Sequence, residues 1–103
     1  MSVAKRPQAR IDLDDIAAHL AVNAGADVAI RFLEAVETVL EQIDAMPESG
    51  APFECDDPRL NGIRHISVRG FRNHYVFYFV RPAGIDLVRV LHAKRDLSSI
   101  LSE

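Results

Sequence analysis

The segment 60-LNGIRHISVRGFRNHYVFYFVRPAGIDLVRVLHAKRDLSSIL-101 reads as three strands joined by tight turns and closed by a short helix. From Ile63 to Arg69, Ile66 and Val68 alternate with His65, Ser67 and Arg69, the period-two pattern of a half-buried strand. Gly70 to Asn73 is expected to turn the chain. His74 to Val80 is apolar on both faces through Tyr75, Val76, Phe77, Tyr78 and Phe79, which marks a central strand. Pro82-Ala83-Gly84 turns it again, and Ile85 to His92 returns as the next strand. Asp96 is placed to cap a last helical turn in which Leu97, Ile100 and Leu101 share a face.

Upstream the period changes from two to 3.6. Asp12 is expected to cap a first helix, with Asp14 and Asp15 at the positive end of its dipole. Leu13, Ile16, Ala17, Leu20 and Ala24 give that helix one apolar face, and Asn23 and Gly25 are the residues that end it. A second helix is expected from Asp27 to Met46, where Pro47 stops it. Phe32, Val36, Val39, Leu40 and Ile43 form its buried stripe, widened by Val28 and Leu33, with Glu34, Glu37, Glu41 and Asp44 toward water. Residues 47–59 hold three prolines and a glycine and read as an irregular crossing loop, and Val3 to Arg6 as a short edge strand.

The order is strand, helix, helix, three strands and a short helix. Two helices joined this tightly form a hairpin that must bury its apolar face on a layer. The fold class is therefore α+β, a helical hairpin on a small, mostly antiparallel sheet, in one domain over residues 1–103.

The net charge of −3 conceals an asymmetry. Residues 1–58 carry 4 Lys/Arg against 12 Asp/Glu, and residues 59–103 carry 8 against 3. The strand-rich end thus attracts acidic partners or polyanions while the helical end repels them. A lone Cys55 excludes an internal disulfide and a cysteine metal site, and the four dispersed histidines show no ligand spacing. Neither a metal nor a cofactor is expected. Without an apolar signal core or a run of about 18 apolar residues, the reading is a cytoplasmic protein with no membrane contact.

An ordered set of residues then carries a resemblance. Ala9, Asp12, Leu13 and Ile16 lead the first helix, Pro47 and Gly50 follow the second, and Leu60-x-Gly62-Ile63-Arg64 opens a strand. Tyr75 to Tyr78, Arg89-Val90-Leu91-His92, Arg95-Asp96-Leu97 and Ile100-Leu101 complete it. Together these resemble the ParE branch of the RelE/ParE toxin superfamily of bacterial type II toxin–antitoxin systems, over about residues 4 to 101. The resemblance implies a toxin that inhibits DNA gyrase, is neutralised by a ParD-like antitoxin, and meets DNA only indirectly through that antitoxin. RelE-type relatives instead cut messenger RNA on the ribosome, so fold alone does not choose between inhibitor and nuclease.

A metal-independent ribonuclease needs cations around the phosphate and groups to move protons. Arg64, Arg69, Arg89, Lys94 and Arg95 are the candidate cations, and His92, His74 or Tyr75 the proton-transfer groups. For an inhibitor, Arg89, His92, Lys94 and Arg95 become the target contact, and the low net charge favours this reading over an RNA-binding one. Arg89, inside an apolar strand, needs a partner such as Asp86, Asp96 or an antitoxin carboxylate. The antitoxin contact is assigned to Leu20, Val28, Leu33, Leu40, Phe53 and Arg64. A third possibility is a family member that binds its partner without toxicity.

Overall fold

In the computed structural model, residues 2–95 and 97–102 are described. The chain runs β1 (Ser2–Lys5), α1 (Pro7–Ala24), α2 (Ala26–Ala45), β2 (Ala51–Pro52), β3 (Arg64–Val68), β4 (Phe71–Arg81), β5 (Gly84–His92) and α3 (Leu97–Leu101). Single 3-10 turns occupy Pro47–Ser49 and Pro58–Leu60. The five strands form one sheet in the order β1-β5-β4-β3-β2, so β4 is central. All pairings are antiparallel except β1 with β5, which runs parallel from Ser2 opposite Gly84 to Lys5 opposite Leu87.

The first helix begins five residues earlier than its acidic residues indicate. Arg6 is still extended and donates its backbone N–H to Leu87 O, and Pro7 then opens α1 with its φ already fixed. Asp12 is therefore no cap. It sits inside the helix, 7% exposed, and Asp14 and Asp15 lie beyond the first turn where the dipole acts. Gly25 alone separates the two helices, at φ 104°, a conformation an L side chain resists.

The strand boundaries also shift. The turn between β3 and β4 is confined to Arg69 and Gly70, and Phe71 to Asn73 already belong to β4. The crossing loop contributes the two-residue β2 at the sheet edge. Asp96, expected to cap α3, lies outside the described residues.

Two cores share the sheet. On one face, Phe32, Val36, Val39, Leu40 and Ile43 of α2 and Ala9 and Leu13 of α1 meet Val68, Val76, Tyr78, Ile85, Leu87 and Val90. On the other, Phe77, Phe79, Val88 and Leu91 are covered by Leu60, Ile63 and Leu101, with Phe53, Cys55, Tyr75, Leu97 and Ile100 packed around them. The two-faced apolar pattern of β4 is thus explained by helices on one side and the crossing loop with α3 on the other.

A bulge between β4 and β5 sets which side chains face the helices. Phe77 pairs with Arg89 but Tyr78 pairs with Leu87, so Val88 is the extra residue. Strict alternation from Ile85 and Leu87 would put Arg89 on the helix face. The inserted residue instead returns Val90 to that core, in line with Ile85 and Leu87. Tyr78 fixes the loop at the other end of the sheet. Its hydroxyl donates to Pro47 O and accepts from Gly50 N, and a Cβ at Gly50 would lie 2.5 Å from that oxygen.

Candidate functional site

Of the cations grouped in the sequence, Arg89 is bound internally. Beyond Lys5 the outer edge of β5 has no further β1 residue to pair with, and α1 passes there instead. Asp12 of α1 accepts from Val90 N at 3.0 Å and takes both arms of Arg89, Nε at 2.8 Å and Nη2 at 3.0 Å. The Arg89 and Asp12 side chains are only 14% and 8% exposed. This fork-shaped, charge-assisted pair ties helix to sheet and supplies an edge N–H with its acceptor. In place of the expected Asp86, the partner is a residue 77 positions away, and Asp96 lies outside the described residues. Asp86 instead takes Arg6 at 2.8 and 3.0 Å, with Arg81 at 3.7 Å, and lifts the Arg6 pKa through that hydrogen bond.

His92 ends β5 directly opposite His74 of β4, with ring centroids 4.9 Å apart and nearly perpendicular. Lys94 N donates to His92 Nδ1 at 3.0 Å, so the neutral ring carries its proton on Nε2. His74 rests edge-on against Phe32 of α2 at 5.2 Å. Its pKa is lowered, first by burial and then by the charges that His92 and His19 would carry. The chain leaves the sheet through Ala93, whose N–H reaches Asn73 O, and Lys94 and Arg95 stand exposed in the turn that follows.

A concavity opens beside them, lined by Gly70, Phe71, Arg72, Asn73, His74, Tyr75 and His92. Neither Arg72, Lys94 nor Arg95 forms a salt bridge among the described residues. Arg72 was not singled out in the sequence. Its only signal was a run of polar residues, Arg72-Asn73-His74, ahead of the apolar stretch Tyr75 to Val80.

The residues considered for RNA cleavage do not converge. Arg64 pairs with Tyr78, four positions along β4 from His74, about 13 Å at the rise of a strand. Its guanidinium donates to Gly50 O at 2.6 Å, holding the crossing loop. Tyr75 adjoins His74 and so faces the opposite side of the sheet, where it lies 5.3 Å from His65. Arg89 is committed to Asp12. His92, Lys94 and Arg95 remain together at one end of the sheet.

The residues assigned to the antitoxin also separate. Leu40 is 3% exposed and belongs to the helix-side core, so it offers no surface. Phe53 is half-buried and packs edge-on against Phe77 at 5.2 Å, and Leu20 and Val28 are half-buried. Leu33 is 38% exposed. Sequence patterning missed more exposed apolar residues, among them Ile11, Val22, Ile30 and Met46. Met46 continues the α2 stripe three residues after Ile43, whereas Ile11, Val22 and Ile30 fall off the spacing of the buried stripes. No group of three or more His, Cys, Asp or Glu among the described residues is placed to hold a metal, and no helix is long and apolar enough to cross a membrane.

Three comparisons bear on this arrangement. Residues 3–97 match the profile of the family described as "ParE toxin of type II toxin-antitoxin system, parDE". No curated protein matches the chain. Among solved structures, a chain of the "Chromosomal ParDE TA system from P. aeruginosa" superposes with a TM-score of 0.74 at 20% identity, covering 91% of this chain and 97% of that one. At that identity the likeness is one of fold.

Proposed function

The chain belongs to the ParE toxin family of type II toxin–antitoxin systems, and from that premise we propose that it inhibits DNA gyrase in the cytoplasm and is neutralised by a ParD-like antitoxin. DNA is met only through the antitoxin, and inhibition requires no cofactor. The observation that carries this reading is the division of the cationic cluster. Arg89 is neutralised by Asp12, Arg64 holds a loop, and Tyr75 lies on the other face, while His92, Lys94 and Arg95 stay available at the end of the sheet. A nuclease needs its cations and proton carriers around one phosphate. A contact surface needs only that they be accessible.

Supercoiling by purified gyrase, measured beside ribosome-dependent cleavage of messenger RNA, tests the reading. Inhibition of the first with no cuts in the second is expected. Cuts without inhibition would move the protein to RelE-type chemistry. Harmless expression of the chain alone would leave a partner-binding protein without toxicity.

A further inference from the structure

We propose that the concavity between the start of β4 and the end of β5, together with the Lys94–Arg95 turn beside it, docks a carboxylate-rich segment of the toxin's protein target. This rests on the inhibitor reading above and names the chemistry of the contact.

The first support is a contrast in pairing. Lys5, Arg6, Arg59, Arg81 and Arg89 each meet a carboxylate of their own chain. Arg72, Lys94 and Arg95 meet none among the described residues. Arg10, Arg31, Arg64 and Arg69 also form no salt bridge there, so what distinguishes the three is that they gather at one end of the sheet beside a concavity lined by no acidic residue. The second is the kind of group presented. With Nδ1 taken by Lys94 N, neutral His92 offers Nε2–H as a donor. The side-chain amide of Asn73 makes no hydrogen bond among the described residues, and Arg72 adds a planar fork suited to carboxylates. Donors outnumber acceptors, as recognition of carboxylates requires.

A protein segment fits better than nucleic acid. Exposed Asp14, Asp15, Asp27, Glu34, Glu37 and Glu41 line the helices. In a molecule 38 × 29 × 22 Å across, separations are comparable to the Debye length at low salt, about 30 Å at 0.01 M, so there the acids act on whatever lies across the patch. A duplex with one charge per ~1.7 Å extends past the patch into their field, whereas a short acidic segment does not. Apart from Arg64 on β3, the antitoxin candidates are apolar groups on the helices and the crossing loop. This mostly polar patch, whose aromatics Phe71 and Tyr75 are half-buried, suits a reversible electrostatic contact with the target.

The probes are a fluorescent octaglutamate peptide, a short DNA duplex and purified gyrase. Octaglutamate is expected to bind the full chain at low salt and to be released at about 0.5 M salt. Arg72→Glu, and separately Lys94→Glu with Arg95→Glu, should each weaken it at least about tenfold. Arg10→Glu, at a residue exposed on α1 and without an ion pair among the described residues, should leave it unchanged. Arg72→Lys should retain most binding, and far-ultraviolet melts confirm that each variant is folded. The same charge reversals should relieve gyrase inhibition in parallel. Octaglutamate binding indifferent to these substitutions overturns the proposal, as does tighter binding of the duplex that the same substitutions abolish. A wild-type chain that binds octaglutamate but leaves gyrase untouched removes the gyrase reading and keeps the carboxylate site.

Discussion

Arg89 and Arg95 are six residues apart and equal in charge, yet the first is an internal fastener and the second an exposed cation with no salt bridge among the described residues. Leu40 and Leu33 differ in the same way on α2, one in the core at 3% exposure and the other at 38%. In each pair the residue type is constant and only the surroundings change. For Arg89 the surroundings are a carboxylate brought in by α1 at the point where β1 stops. A buried cation cannot remain without such a partner, because desolvation of a lone charge outweighs what packing returns. The lesson is that a cluster of like residues in sequence divides into structural and functional members by what the fold places opposite each.

The largest effect that would break this contrast is expected at the leucines. Leu40→Glu buries an unpaired charge and should cost more than about 4 kcal/mol, enough to unfold a domain of this size. Leu33→Glu should cost about 1 kcal/mol or less in thermal melts, and so leaves a folded chain in which antitoxin affinity is read separately by calorimetry. Equal losses at both positions would place Leu33 in the core.

Next in size, Asp12→Ala strands Arg89 and the Val90 N–H and should cost about 3 kcal/mol. Asp12→Ala combined with Arg89→Met should recover most of that loss in a double-mutant cycle. If the double variant is as unstable as the single, the pair is not the fastener described.

A smaller effect is expected with acid. The folded-state pKa of His74 is depressed from 6.5, so the unfolded chain binds the proton more readily. The stability it contributes is fully present above 6.5 and is lost as pH falls through the lower, folded value. The melting temperature should therefore drop between pH 7 and pH 5, and His74→Gln should flatten that drop. An unchanged slope in the variant would rule out His74 as its source.

The smallest change in stability is expected where the functional change is greatest. Lys94→Ala with Arg95→Ala should shift stability by no more than about 0.5 kcal/mol while weakening gyrase inhibition. A melt displaced by several degrees would mean that these side chains, like Arg89, have an internal role.

The fold was legible because its signals are local. Alternation in β3, the doubly apolar β4 and the helical stripe of α2 each follow from burial at a fixed repeat, whereas of the face expected on α1 only Leu13 is buried and Ala24 is exposed. The start of α1 was misplaced because Asp12 looks like a cap, and nothing near it in the chain announces a partner at Arg89. The second core was missed for a related reason. Phe53, Leu60 and Leu101 are scattered single apolar residues, with no period to show that they meet Phe77 and Leu91.

The sequence by itself determined the order of elements, the segregation of charge and the family, because each is written in residue types at short, regular spacing. Tertiary structure alone decided which members of the basic cluster are free. One inserted residue in β5 resets its alternation, and one carboxylate on α1 neutralises Arg89, leaving Arg72, Lys94 and Arg95 to face outward. The physical reason is that ion pairing and desolvation act between atoms brought together from residues 77 positions apart, a distance over which sequence carries no local signal.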